Sequence, residues 1–260
     1  VLEVASRAVA WSTRVGGPVL CLGWSPDGAQ LACGDHRNTL TVLDVASRKV
    51  AWSTTVGGAV LCLGWSPDGA YLACGDTANT LTVLDVANRE VAWSTTVGGT
   101  VRCLGWSPDG AQLACGDLAK TLTVLEVASR EVAWSTTVGG DVLCLGWSPH
   151  CAQLACGDGA KTLTVLDVAS RKVAWSTTVG GAVLCLGWSP DGAQLACGDD
   201  ANTLTVLNPF PPAALVARLV RHPKPLASTF TTSAALTGRM GNGRTVAAHL
   251  IAIAHPQCLE

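Results

Sequence analysis

Three observations predict an all-β fold built from repeated four-stranded antiparallel sheets. The chain repeats itself every 41 residues: Trp11, Trp52, Trp93, Trp134 and Trp175 mark one register (52 − 11 = 41), and Trp24, Trp65, Trp106, Trp147 and Trp188 mark a second. Those ten are all of its tryptophans. Each repeat holds short apolar or β-branched runs separated by Gly, Pro and Asp turns, with no helical period. A repeat of this length with four strand-like runs is the pattern of a β-propeller, in which each sheet is one blade.

The second repeat shows the element order. Val60 to Trp65 is apolar along its length, which predicts a first strand buried on both faces. Ser66-Pro67-Asp68-Gly69 closes it, because Pro presets φ at the second turn position and Gly supplies the φ > 0 position. Tyr71 to Cys74 runs back to Gly75-Asp76, and Thr80 to Val86 forms a third strand rich in β-branched residues. Ala87-Asn88-Arg89 turns the chain into a fourth strand, Val91 to Thr95, which places Val91, Trp93 and Thr95 on one face. Both faces of the middle strands are apolar, so a blade needs neighbours on either side. Burying one tryptophan is worth at most about 4 to 6 kcal/mol, so the ten indoles are expected to dominate the packing.

These residues resemble the WD-repeat family of β-propellers. The likeness covers about four-fifths of the chain. It rests on the Trp-Ser-Pro-Asp-Gly turn, the Leu-Ala-Cys-Gly-Asp strand end and the Thr-Leu-Thr-Val-Leu-Asp-Val third strand. Gly57-Gly58 stands where that family usually has Gly-His, Leu84-Asp85 where it usually has Trp-Asp, and Cys74 where it often has Ser. The family's His, Ser, Asp and Trp hydrogen-bond network therefore cannot form, which leaves blade cohesion to the tryptophans of the first and fourth strands. The resemblance also implies about seven blades and a similarity to the sensor ends of large intracellular signalling proteins, so a fragment of such a protein without independent function is a competing reading.

About five blades can be counted, as a closed ring or a partial arc. Residues 1–13 supply a third and a fourth strand, four complete copies follow, and Ala182 to Leu207 supplies three strands of a fifth. The opening strand, Ala8 to Thr13, could complete that last blade and close the ring, leaving Val1 to Val4 as a duplicate of Thr203 to Leu207. An open arc would expose a sheet face and tend to self-associate. The domains expected are a propeller array, 1–207, and a C-terminal extension, 208–260, that is poorly ordered or forms short helices. In the extension, Pro212 could open a helix through His222 that stacks Leu215 on Leu219 and Val216 on Val220 before Pro223. Thr245 to Ala254 could pack on the array, and an out-of-frame or truncated terminus is the competing reading.

The array carries 12 Lys/Arg against 18 Asp/Glu, and the extension five basic residues against Glu260. Neither half has the basic stripe of a nucleic-acid binder. Nothing predicts a membrane span or a signal peptide, so a cytoplasmic location is expected. Ten of the twelve cysteines recur as pairs twelve residues apart, Cys21 with Cys33 through to Cys185 with Cys197. Without a secretory signal they read as buried apolar thiols. If strand partners summed to 54, Cys21 would face Cys33 and a cross-strand disulfide would be conceivable. A soft-metal-binding thiol array is the sharper alternative, although close Cys-x-x-Cys pairs and partner histidines are missing. No resident metal or cofactor is expected.

In an antiparallel meander, the loop before strand one and the loop between strands two and three emerge at the same end. Near-identical copies differ mainly there. The first loop carries Pro18, Ala59, Thr100, Asp141 and Ala182, and the second His36, Thr77, Leu118, Gly159 and Asp200. Beside these lie Arg37, the alternation of Asn38, Asn79, Lys120, Lys161 and Asn202, and Arg102, which replaces a leucine. A constant scaffold with varied loop tips is the pattern of a protein-interaction platform, and also of surface drift. The opposite face changes less: Glu90 and Glu131 for Lys, Asn88 for Ser, and His150-Cys151 for Asp-Gly. No histidine sits beside a nucleophile motif and no phosphate-binding loop is present, so an enzyme is not expected. Asp27, Asp35 and their equivalents suit loop hydrogen bonding better than acid/base work.

Overall fold

In a computed structural model, residues 2–3 and 8–209 are described, and every regular element among them is a β-strand. The helix proposed for 213–222 and the apolar stretch 245–254 lie outside the described residues. A short hairpin pairs β1 (Leu2–Glu3) with β2 (Ala8–Val9). Blade one follows as β3 (Val19–Trp24), β4 (Gln30–Asp35), β5 (Thr39–Asp44) and β6 (Lys49–Thr55). Blade two is β7 (Val60–Trp65), β8 (Tyr71–Asp76), β9 (Thr80–Asp85) and β10 (Glu90–Thr96). Blade three is β11 (Val101–Trp106), β12 (Gln112–Asp117), β13 (Thr121–Glu126) and β14 (Glu131–Thr137). Blade four is β15 (Val142–Trp147), β16 (Gln153–Asp158), β17 (Thr162–Asp167) and β18 (Lys172–Thr178). Blade five has three strands, β19 (Val183–Trp188), β20 (Leu195–Asp199) and β21 (Leu204–Leu207).

The expected all-β, five-bladed architecture is thus present, and all five blades fall within one unit, Val1–Leu207. Ring closure by the opening strand is not. Ala8–Val9 pairs with Leu2–Glu3 in the register that Lys49 and Val50 adopt with Asp44 and Leu43. A partner a few residues away needs far less loop-closure entropy than one near residue 205.

The core lies between blades rather than within them. Ala32, Leu40 and Val42 of blade one meet Val60, Leu72, Cys74 and Leu84 of blade two, and the next three interfaces reuse the equivalent positions. Each cluster takes a fourth-strand tryptophan from one blade and a first-strand tryptophan from the next: Trp52 with Trp65, Trp93 with Trp106, Trp134 with Trp147, Trp175 with Trp188. The first-strand indoles also tie blades together directly. Trp65 Nε1 donates to Gly23 O (3.0 Å), and Trp106, Trp147 and Trp188 donate to Gly64, Gly105 and Gly146 O (2.9 Å each).

Two packing expectations need correction. Only Trp134 and Trp147 are buried, and the largest fully buried side chains are leucines and one valine of the middle strands. The indoles act as wedges with one edge in water. Likewise the apolar first strands are mostly half-buried, whereas β8, β9 and their equivalents in blades one, three and four are largely buried on both faces. A first strand is the terminal strand of its sheet, so blade packing covers it incompletely.

The Ser-Pro-Asp-Gly turns form as expected. Ser25 Oγ donates to Asp27 Oδ1 (2.6 Å), as does the Ala29 N–H (3.0 Å), and these bonds hold the carboxyl below its ordinary value of 3.8. The support from such a carboxylate is complete above that value and fades as pH falls through the lower folded one. In blade four Cys151 occupies the turn position with φ 58°, where Gly28, Gly69, Gly110 and Gly192 stand elsewhere. A left-handed non-glycine residue costs about 1 kcal/mol or more. Cys151→Gly is expected to stabilise the chain by about 1 kcal/mol, read as a higher urea midpoint with unchanged slope.

Candidate protein-interaction face

The two variable loops of every blade are joined at their backbones. The N–H groups of His36, Thr77, Leu118, Gly159 and Asp200 donate to the carbonyls of Pro18, Ala59, Thr100, Asp141 and Ala182 at 2.9 to 3.1 Å. The positions that differ most between copies are therefore side by side, once per blade, at one end of the sheets. Pro18, His36, Arg37, Thr77, Arg102, Leu118, Lys120, Gly159, Lys161 and Asp200 are exposed. Thr100, Asp141 and Ala182 are half-buried. Ala59 is buried, and Thr77 Oγ1 accepts from its N–H (2.9 Å).

Some variable side chains also couple blades or loops. Thr100 Oγ1 donates to Thr77 O and to Asn79 Oδ1 in the preceding blade (3.5 Å each). Lys161 Nζ donates to Gly180 O (3.4 Å), and Asp200 Oδ1 accepts from Ala182 N–H (2.7 Å). Asn38, Asn79, Lys120, Lys161 and Asn202 all sit at φ between 62° and 68°. Asn tolerates this conformation better than Lys, so the two lysines place charge on the face at some conformational cost.

What holds this face in place was only half legible. Asp35, Asp76, Asp117, Asp158 and Asp199 are buried at the ends of the second strands. Asp76 Oδ1 accepts from Ala78 N–H (2.9 Å) and Thr80 N–H (3.0 Å) within its own loop, while Oδ2 accepts from Gly58 N–H (3.2 Å) in the other loop. In blades two, four and five a single carboxylate thus clamps both variable loops without the histidine that the family resemblance leads one to expect, whereas Asp35 and Asp117 bond only within their own loop. The signal was an aspartate present in all five copies just ahead of the variable position.

The thiols do other work. Val19 pairs with Asp35, but a β-bulge then shifts the register, so Cys21 lies opposite Gly34 and Cys33 opposite Leu22. The direct Cys21–Cys33 facing is therefore not formed, and all eleven described cysteines are free. Cys21, Cys62, Cys103 and Cys144 Sγ instead donate to the carbonyls of Val60, Val101, Val142 and Val183 in the next blade, at 3.5 to 3.8 Å. Burial pushes Cys21 up to about 11, and Cys74, Cys115, Cys144 and Cys156 up to about 12. Among the described residues no group of three or more His, Cys, Asp and Glu could hold a metal ion, which removes the ligand set from the soft-metal reading.

A cleft of about 330 Å³ opens on the opposite face between blades one and two, lined by Asp27, Asp44, Asp68 and Trp65 among others. Its carboxylates are engaged by turn groups: Asp27 by Ser25 and Ala29, Asp68 by Ser66 and Ala70, Asp44 by Ser47 N–H. They serve the turns.

Comparison with known proteins accords with this architecture. The family model described as the anaphase-promoting complex subunit 4 WD40 domain matches residues 5–66 and 88–150. The model for the WD domain, G-beta repeat, matches residues 52–85 and 175–206. No curated protein matches the chain. It is similar to a chain in the crystal structure of a mitotic checkpoint complex, with a TM-score of 0.73 and 24% identity over 79% of this chain and 66% of that one. It is also similar to U3-55K, with a TM-score of 0.68 and 16% identity over 75% and 62% of the two chains. The chain thus spans just under two thirds of each of those chains, and at such identities the likeness concerns the fold. Propellers of this type are commonly protein-interaction scaffolds and typically non-catalytic. By its repeat, its blade topology and the sequence models it matches, the chain belongs to the WD-repeat β-propeller family.

Proposed function

We propose that the chain is a non-catalytic scaffold of the cytoplasm that binds protein partners through the loop tips of one face. The observation that carries this reading is the backbone pairing of the two variable positions in each blade, from Pro18 with His36 to Ala182 with Asp200. Variation in the repeats is concentrated on one surface, over an aspartate that recurs in every blade and joins the two loops in blades two, four and five. That surface mixes an imidazole and a guanidinium at His36 and Arg37, an exposed leucine at Leu118, ammonium groups at Lys120 and Lys161, and carboxylates at Asp141 and Asp200. Such a mixture suits a protein surface better than a single small ligand.

The test exchanges His36, Leu118 and Asp200 for alanine together, beside a control carrying Glu90→Lys and Glu131→Lys on the opposite face. Both variants should melt within a few degrees of the parent. Partners captured by the parent and by the control should be lost by the loop variant, with affinity down at least tenfold. Equal binding by all three proteins would rule out this face as the site.

A further inference from the structure

The two end blades each leave uncovered a face that is buried in every blade between them. On blade one, Val19 is 48% exposed, whereas Val60, Val101, Val142 and Val183 are fully buried. Leu22 and Trp24 are exposed beside it. On blade five, Leu204 is 75% and Val206 55% exposed, whereas their equivalents, from Leu40 and Val42 to Leu163 and Val165, are fully buried. Backbone space gives the same answer. A Cβ placed on Gly23, Gly64, Gly105 or Gly146 would touch a leucine of the next blade at 2.8 to 3.0 Å, but at Gly187 nothing lies within 4 Å.

These faces are the two halves of one interface that the chain already makes four times. Each copy of it has three recurring rungs: an indole N–H to a glycine carbonyl, a thiol to a valine carbonyl, and a leucine over that same glycine. Blade one has the unused halves Trp24 Nε1, the Val19 carbonyl and Leu22, and blade five has the matching Gly187 carbonyl, Cys185 Sγ and open Gly187 surface. At these three rungs the residue types are identical to those of the internal joints, although the fourth-strand indole that each internal joint also contains has no counterpart among the three strands of blade five.

We infer that a second copy of this chain docks its blade five on blade one, head to tail, through Trp24, Leu22 and Val19 on one side and Cys185, Gly187 and Val206 on the other. Trp24 Nε1 then donates to the Gly187 carbonyl of the second copy, and the second copy's Cys185 donates to the Val19 carbonyl, extending the internal ladder by one joint. Such an interface is heterologous, so copies add in series until a ring closes or a filament grows. This surface is separate from the variable loop tips, and its failure would leave the proposed function standing.

The test is the mass in solution of the 26.6 kDa chain and of two variants, Leu22→Lys and Val206→Lys, whose exposed sites leave each monomer's fold intact. The parent should grow in mass from micromolar to hundred-micromolar concentration, with alkylation of Cys185 slowing in step. Each variant alone should stay at monomer mass, and an equimolar mixture should form a dimer and nothing larger. A parent at monomer mass throughout overturns the inference: with Cys185 protected, the two faces close on each other within one chain, and with Cys185 reactive they belong to a different protein. Single variants that still associate, or a mixture no heavier than its parts, overturn it too.

Discussion

Gly75→Ala is expected to destabilise the chain by about 3 kcal/mol or more, the upper end for overpacking a tight core. A Cβ at Gly75 would lie 2.7 Å from Val101 Cβ and 2.8 Å from Cys62 Sγ. Val101 Cβ is fixed to the backbone of the neighbouring blade and cannot rotate away, so blades two and three must move apart. That motion loosens the cluster of Ala73, Leu81, Val83, Leu113 and Leu125, not one contact. Gly116→Ala should behave alike, since Val142 Cβ stands at 2.7 Å there. Gly198→Ala provides the internal control, because at the same repeat position only its own blade's Cys185 Sγ is near, at 3.0 Å. It should cost less than a third as much. Urea unfolding of the three variants checks the contrast, and equal losses at Gly75 and Gly198 would mean that blade five has a neighbour after all.

The second large effect is alkaline instability. Burial pushes Cys74, Cys115 and Cys156 from an ordinary value of 9.0 up to about 12. A thiol with a raised folded value binds its proton more tightly in the native state, so its stabilisation is complete below pH 9 and is lost as pH climbs towards 12. At pH 10 the loss is about 1.4 kcal/mol per thiol, provided the folded value lies well above 10. Three such thiols together give about 4 kcal/mol, a large share of the stability of an ordinary domain. Melting temperature should therefore fall steeply between pH 8 and pH 10.5, and Cys74→Ala, Cys115→Ala and Cys156→Ala combined should flatten that slope. A melting temperature constant across this range would show the thiols to be hydrated.

Much of the architecture was written in the sequence because strand and turn chemistry repeat locally. Ser66-Pro67-Asp68-Gly69 and its equivalents specify reversals, and the two variable loops share an end by the geometry of a meander. What escaped was set by backbone irregularity and by long-range choice. The bulge after Val19 moves Cys21 away from Cys33, and no side-chain pattern marks it. Leucines such as Leu72, Leu81 and Leu113 carry the fully buried core because middle strands are covered on both sides, while the larger indoles sit at the first and fourth strands and keep an edge in water. Ring closure was undecidable, since every blade edge bears the same residues and Ala8–Val9 suits either partner. Of the loop-tip residues, Ala59 alone is buried, which its place in the repeat, shared with Pro18, Thr100, Asp141 and Ala182, does not announce.

The blade-to-blade interface is repeated four times and interrupted between blades five and one. Alkylation of native thiols in dilute solution, followed by peptide mass analysis, tests it most directly. Cys185 is exposed, whereas Cys62, Cys103 and Cys144 are half-buried against the next blade. Cys185 is expected to be modified much faster than Cys103, with Cys115 and Cys156 unmodified until the chain unfolds. Equal protection of Cys185 and Cys103 in a monomer would contradict it.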